Sequence, residues 1–398
     1  MANLKKVVKE NKKVLIIHNI LWSHYKAKVF SELYKLCTKN NYGFLVIQIA
    51  LNEKGRKKLG DIDLSIHQYP YKLLFESSME DISKIRGMYK ITKEIYTYKP
   101  DLIVLPGYSH LLYWVALFIE KFILRGRVVI SIDSTEYDNP KQYYKEHAKK
   151  LFIRFCDYAF CYGTKSKEYV VKLGMSPEKV IIRFQATDNQ TIENVYNGYK
   201  SERDYLISKN GFKKYNFIYV GRLSKEKNVE TLIKAFRLLK DSIIESKDWG
   251  LILVGDGERK EYLVNLVKDL NARDVFFVGG KSWKEVPIYY ALSDVFVLPS
   301  ISEPWGLVVN EAMVCELPVI VSYRAGAAYD LVREGENGFV FDPFNEQDLL
   351  EKMSFFVKNP DKIKEMGKCS KKIIAEYTPE NAAYQMFKGM RETLEGEL

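Results

Sequence analysis

The sequence predicts two α/β domains, each a doubly wound parallel sheet with helices on both faces, set around a central cleft. Three observations carry this. The chain has 398 residues, more than one ordinary core holds. Short β-rich runs alternate with helical periods along most of it, the rhythm of parallel sheets. That rhythm lapses once, over a polar stretch near residue 200, and then restarts.

In the first half, strands are expected at 13–18, 43–49, 64–69, 101–106, 127–132 and 158–162, with "DISKIRGMYKITKEIYTY" as a helix. These make a first domain over residues 1–196. The polar run 197–213 lacks a clean strand and is read as a linker. A second domain over 214–378 has strands at 216–220, 250–254, 275–279, 294–299, 318–323 and 338–341. Residues 379–398 form a capped amphipathic helix, expected to pack back on the first domain.

Composition narrows the function. Apolar residues make up 47% and charged residues 28%, ordinary for a globular enzyme, and the net charge is +10. Such a surplus suits nucleic acid, an anionic membrane or an anionic substrate. No zinc-finger spacing, RNA-binding strand motif or basic region with heptads occurs, so nucleic acid is not an expected partner. The five cysteines are scattered without metal-ligand spacing, as reduced thiols in a cytosolic protein are. The charged N-terminus has no apolar core and does not read as a signal peptide. The longest apolar stretch, Leu111–Leu124, contains Glu120 and Lys121 and is shorter than the roughly 20 residues of a bilayer span. A cytoplasmic location follows as an expectation.

Ligands of open parallel sheets sit beyond the carboxyl ends of the strands, so the loops that follow strands matter most. In "YVGRLSKEKNVETLIKAF", Gly221 permits a turn, and Arg222 and Lys227 flank a helix entrance. Cations there oppose the helix dipole, so something negative should offset them. A diphosphate would do so; a solvated charged loop is the plainer reading. In "LVGDGERKEYL", Gly255 and Gly257 flank Asp256, which a simple strand-to-helix turn explains as well. In "SISEPWGLVVNEAM", Glu303 lies in a loop and Glu311 about one and a half turns into a helix. Free N–H groups of Trp305, Gly306 and Leu307 lie between them. Carboxylates at both ends suit sugar hydroxyls, and amides suit phosphate. A dipole partner at Glu303 with a surface charge at Glu311 fits equally.

Together these segments resemble the retaining, nucleotide-sugar-dependent glycosyltransferases of family 4, which have the two-domain GT-B fold. The likeness covers roughly 214–378: "GRLSKEK", "SEPWGLVVNEAM", "LPVIVS" and "ENGFVFDP". It implies that Arg222 and Lys227 bind the donor diphosphate, that Glu303 contacts the sugar and Glu311 the ribose. Gly221, Gly255, Trp305 and the amides of Gly306, Leu307 and Val308 line the donor, and Gly280 and Lys281 lie by the base. Transfer with same-face attack needs no metal and no other cofactor. The sequence departs from the family at Glu316, where a glycine is common, and at Asp330, where a glutamate is common. The first half matches weakly. By position it offers His110 as a catalytic candidate, and His18, Trp22, His24, Asp133 and Glu136 on the acceptor side. "YYKEHAKKLFIRF" reads as an amphipathic helix with Lys145, Lys149, Lys150 and Arg154 outward, suited to anionic lipid or to solvent. A glycan or lipid-linked acceptor fits, in surface polysaccharide or glycoconjugate synthesis. A non-catalytic sugar-nucleotide or polysaccharide-binding protein is the alternative.

Overall fold

The computed structural model describes residues 11–55, 62–138 and 143–396; the charged N-terminal stretch 1–10 lies outside these. Two parallel sheets organise the chain. The first contains β1 (Lys13–Ile20), β2 (Gly43–Asn52), β3 (Tyr71–Ser78), β4 (Leu102–Leu105), β5 (Arg127–Ile132), β6 (Tyr158–Cys161) and β7 (Val180–Ile182). Their spatial order is β3-β2-β1-β4-β5-β6-β7. The second contains β8 (Tyr215–Val220), β9 (Trp249–Val254), β10 (Val275–Gly279), β11 (Val295–Leu298), β12 (Val319–Ser322) and β13 (Gly338–Phe341), in the order β10-β9-β8-β11-β12-β13. Strands such as β9 and β11 are buried along their whole length, because helices cover both faces.

All six strands expected in the second half are present. In the first half two readings need correction. Residues 64–69 are not a strand: Asp63 caps a single helical turn, Leu64–Ile66, by accepting from the Ser65 N–H at 3.1 Å. The strand begins after Pro70, at Tyr71. The three-residue edge strand β7 was too short to announce itself. The stretch read as a linker is helical, with helices Asn189–Lys200 and Arg203–Asn210. Ile192 and Tyr196 of the first of these sit in the second core, so the boundary read at 196 falls inside a helix. The last helix, Pro379–Glu395, starts at Thr378, whose side chain accepts from the Asn381 N–H. It crosses back and buries Ala382, Ala383, Met386 and Met390 with Val29, Phe30 and Leu33 of the first domain.

Each sheet reverses its strand order at one place: between β1 and β4 in the first, and between β8 and β11 in the second. Helices leave to opposite faces there, and a crevice opens beyond the strand ends. The loops after β8 and β11 are the arginine–lysine loop and the two-glutamate loop.

Candidate active site

The loops after β8 and β11 are held backbone to backbone. The Ile301 N–H donates to the Glu226 carbonyl at 2.9 Å, tying the loop after β11 to the loop after β8. Gly255 lies so close to Gly221 that a Cβ there would come within 1.8 Å of the Gly221 carbonyl oxygen. Glycine is therefore a packing requirement at 255.

The cations are already paired. Lys227 Nζ holds the Glu303 carboxylate, and both side chains are mostly buried. Arg222, half-exposed, donates to Glu226 Oε1 at 2.8 Å, and Ser224 Oγ donates to the same oxygen at 2.6 Å. The sequence alone suggests an anionic ligand as the offset to two cations at this helix start. Here two carboxylates of the protein provide it. Glu226 was missed, although it stands four residues after Arg222 in the motif, the spacing of a helical ion pair.

Gly306 adopts φ +95° and opens the helix Leu307–Val314. A Cβ at 306 would press on Leu298 at 2.8 Å and on Glu303 Cγ at 3.3 Å, so the Glu303 side chain folds over this helix start. The first N–H groups of the helix, at Leu307 and Val308, have no intrahelical partner. Trp305 contributes at most its amide, because its ring is buried and its Nε1 donates to Asn310 Oδ1 at 2.8 Å. Glu311 meets the Tyr290 hydroxyl at 3.3 Å. Burial pushes its carboxyl up to about 7, the tyrosine offsetting this in part. A carboxylate with a single donor can accept a diol.

Beyond β10, Gly280 and Lys281 open a loop that reaches the first domain. Trp283 stacks on His24 with ring centroids 4.7 Å apart, and Lys284 pairs with Asp63 at 2.7 Å. Trp22 packs edge-on against the same histidine. His24 and Trp22 thus pack against the loop after β10 of the second domain. Trp283 carried no motif signal.

His110 caps the helix Leu111–Phe118, its Nδ1 accepting from the Leu112 N–H at 3.3 Å. Burial keeps it below the usual histidine range. This is a structural role at the end of β4. His18 is buried; its Nδ1 lies 3.0 Å from Gln48 Oε1, and burial holds it down to about 3. Its ring still lines a cavity shared with Asp133. Glu136 is drawn away to Lys172 at 2.6 Å. In "SIDSTEYD" a further acid, Asp138, accepts from the Thr135 N–H. Burial, reinforced by the charges of Asp133 and Glu303, raises its carboxyl to about 6. Its neighbour Tyr137 packs on Tyr323 and under Arg324 of the second domain.

Both departures from the family pattern have physical accounts. Asp330 clasps the first domain, accepting from the Thr164 N–H at 3.0 Å and hydroxyl at 2.7 Å. Glu316 takes φ +56° just past the helix Leu307–Val314, with the Leu317 N–H on the Ala312 carbonyl and the Glu316 N–H on Met313. A glycine is at ease there.

Residues 203–373 match the family described as Glycosyl transferases group 1. The C-terminal half is a group 1 glycosyltransferase domain. An uncharacterized glycosyltransferase of Methanocaldococcus jannaschii is 30% identical over 209 residues, 50% of this chain and 56% of that protein. Another from the same organism is 26% identical over 383 residues, 86% of each. The chain spans about half the length of the first curated relatives it matches. The Anabaena protein HepE, solved in complex with UDP-glucose, is 20% identical with a TM-score of 0.71, over 96% of this chain and 99% of that one. The fold is GT-B. The matched residues include Arg222, Glu226, Lys227 and Glu303 of the loops after β8 and β11.

Proposed function

We propose that the chain is a retaining glycosyltransferase that moves a sugar from a UDP- or GDP-type donor to a glycan or lipid-linked acceptor. The observation that supports this most is the convergence at the second sheet's switch point. Two cations, two carboxylates and a helix N-terminus meet there on glycine-lined backbone. The donor diphosphate takes Arg222 and Lys227 from Glu226 and Glu303, and the amides near Gly306, Leu307 and Val308 complete its cradle. Glu303, released, turns to the sugar, and Glu311 accepts the ribose hydroxyls. These groups stabilise the leaving diphosphate's charge without a metal ion. The acceptor attacks from the leaving group's own face, and the diphosphate takes the acceptor's proton.

The same reading places the protein in the cytoplasm, at the inner face of a membrane, in surface polysaccharide or glycoconjugate synthesis. Among the described residues no helix is long and apolar enough to cross a membrane. Helix Tyr143–Phe155 presents Lys145, Lys150 and Arg154 outward; Lys149 instead turns inward to Glu146 and the Tyr169 hydroxyl. Beside it the exposed Phe118 and Phe122 border an apolar hollow of about 350 Å³, with Phe155 in its wall. Apolar side chains rimmed by cations suit an anionic bilayer.

The test is a thermal-shift screen with UDP, GDP and their sugars, with and without chelator, followed by NMR of the product's anomeric centre. A ligand of the folded form raises the melting temperature. No shift with any nucleotide, or an inverted anomer, would overturn the reading.

A further inference from the structure

The first domain has its own crevice beyond β1, β4 and β5, a cavity of about 190 Å³. Two cations are set into its wall. Lys26 is 7% exposed and Arg183 is 1% exposed. Both lie on the ring of Tyr162: Lys26 Nζ is 4.1 Å and Arg183 Cζ 4.2 Å from its centroid. Lys26 also donates to the Tyr162 hydroxyl. Arg183 reaches Phe184 O and Gln185 Oε1 only at 3.4 Å, and its buried Nε has no partner. No carboxylate of the described residues comes within ion-pair distance of either cation. Asp133 and Glu53 stand elsewhere in the lining, and Ser23, Tyr25 and Ser131 add hydroxyls.

Burial and the neighbouring Arg183 hold the Lys26 amine well below its ordinary range, because two like charges out of water around one ring are costly unless an anion returns the lost solvation. A fold that keeps such a pair at its sheet's switch point breaks a local rule where ligands bind. A backbone route joins the cavity to the second domain. The Gln185 carbonyl accepts from Asn310 Nδ2 at 2.8 Å, and Asn310 holds Trp305 in the two-glutamate motif.

We infer that this cavity is an oxyanion site, in which Lys26 and Arg183 hold the phosphate or carboxylate of a negatively charged sugar acceptor while Asp133 at the rim receives a hydroxyl. That the occupant is an acceptor rests on the transferase reading above; that it is an oxyanion rests on the cavity alone. Sugar hydroxyls alone would leave both cations without a counter-charge.

The experiment is calorimetric titration of the full chain with nucleoside diphosphate saturating the donor loops, so that phosphate cannot settle there. Probes are inorganic phosphate, glucose 6-phosphate, glucuronate, water-soluble dihexanoyl phosphatidate and, as neutral control, glucose. The oxyanions should bind saturably and glucose should not. Lys26→Gln should weaken them at least tenfold and leave nucleotide affinity within twofold. Arg183→Lys, which keeps the charge, stands in should Lys26→Gln not fold, and should weaken them less than Arg183→Gln. Preference for glucose 6-phosphate assigns a soluble acceptor, and preference for phosphatidate a lipid headgroup. The inference is overturned if no oxyanion binds, if glucose binds as well, or if the variants bind oxyanions as the wild type does. Should nucleotide fail to saturate the protein, the transferase reading falls. The oxyanion titrations on nucleotide-free protein then still decide the cavity.

Discussion

The two crevices treat their positive charges in opposite ways. In the second domain Lys227 and Arg222 each hold a carboxylate, Glu303 and Glu226. In the first, Lys26 and Arg183 share a tyrosine ring, and among the described residues no carboxylate lies within ion-pair distance of either. A neutralised pair is stable when empty and becomes a phosphate site only when a stronger anion displaces its partner. On the proposed function the loops after β8 and β11 are thus exchangeable ion pairs, whereas Lys26 and Arg183 have no carboxylate to give up among the described residues. The difference also separates the roles of the acids. Glu226 and Glu303 each pair with a cation, whereas Glu311 accepts from the Tyr290 hydroxyl and, among the described residues, pairs with no cation.

Removing a donor-loop cation is the hardest blow to this picture. Lys227→Ala and Arg222→Ala should each lower turnover by about 10²–10³-fold, the usual cost of losing one preorganised donor to developing charge. Circular dichroism must match the wild type, and steady-state rates decide. Next comes Glu303→Gln. Because Glu303 competes with phosphate for Lys227, this change should leave binding of the bare nucleoside diphosphate unchanged or tighter while kcat falls. Loss of nucleotide affinity would mean that Glu303 grips the nucleotide and is not displaced by it.

Glu311→Gln should act mainly on KM, since a ribose grip serves ground and transition states alike. It also carries a pH signature. The carboxyl is raised to about 7 from an ordinary value near 4.5, so the ligand-free fold favours its protonated form. Its contribution to stability is full below pH 4.5 and is lost as pH rises through 7. Accepting two hydroxyls requires the ionised form, so nucleotide affinity should fall as pH drops below 7. Titrations in buffers of different ionisation heat should register a proton released on binding near pH 6. The phosphate's own titration remains in Glu311→Gln, and the difference between the two proteins isolates the carboxyl. An identical pH profile in both would remove Glu311 from the ribose.

The smallest effect tests the backbone. Glu316→Gly relieves a left-handed residue at a helix end and should stabilise the protein by about 1 kcal/mol, read from urea unfolding, with nucleotide affinity unchanged. Unchanged or lowered stability would show that the Lys200–Glu316 contact at 3.1 Å outweighs the strain.

The contrast between the crevices also governs what the sequence made legible. Arg222, Lys227, Glu303 and Glu311 lie on two short segments, each a strand end running into a helix, so spacing and residue type pointed to them. Pairing was not legible, because Lys227 meets Glu303 only when β8 and β11 become neighbours. The first-domain cavity draws Lys26, Asp133, Tyr162 and Arg183 from after four different strands, and no spacing connects them. Position alone selected His110 and Glu136; His110 caps its own helix through the Leu112 N–H two residues on, and Glu136 pairs with Lys172. Asp138 went unread because only the packing of Tyr137 on Tyr323 aims that loop at the second domain.

The most direct test of the exchangeable ion pairs is calorimetric titration of UDP and GDP, in the presence of chelator, into the wild type, Lys227→Ala and Glu303→Gln. Displacement predicts saturable binding of one nucleotide per chain in the wild type, severe weakening in Lys227→Ala, and equal or tighter binding in Glu303→Gln. Equal affinity in all three proteins, or binding only when a divalent metal is restored, would contradict it.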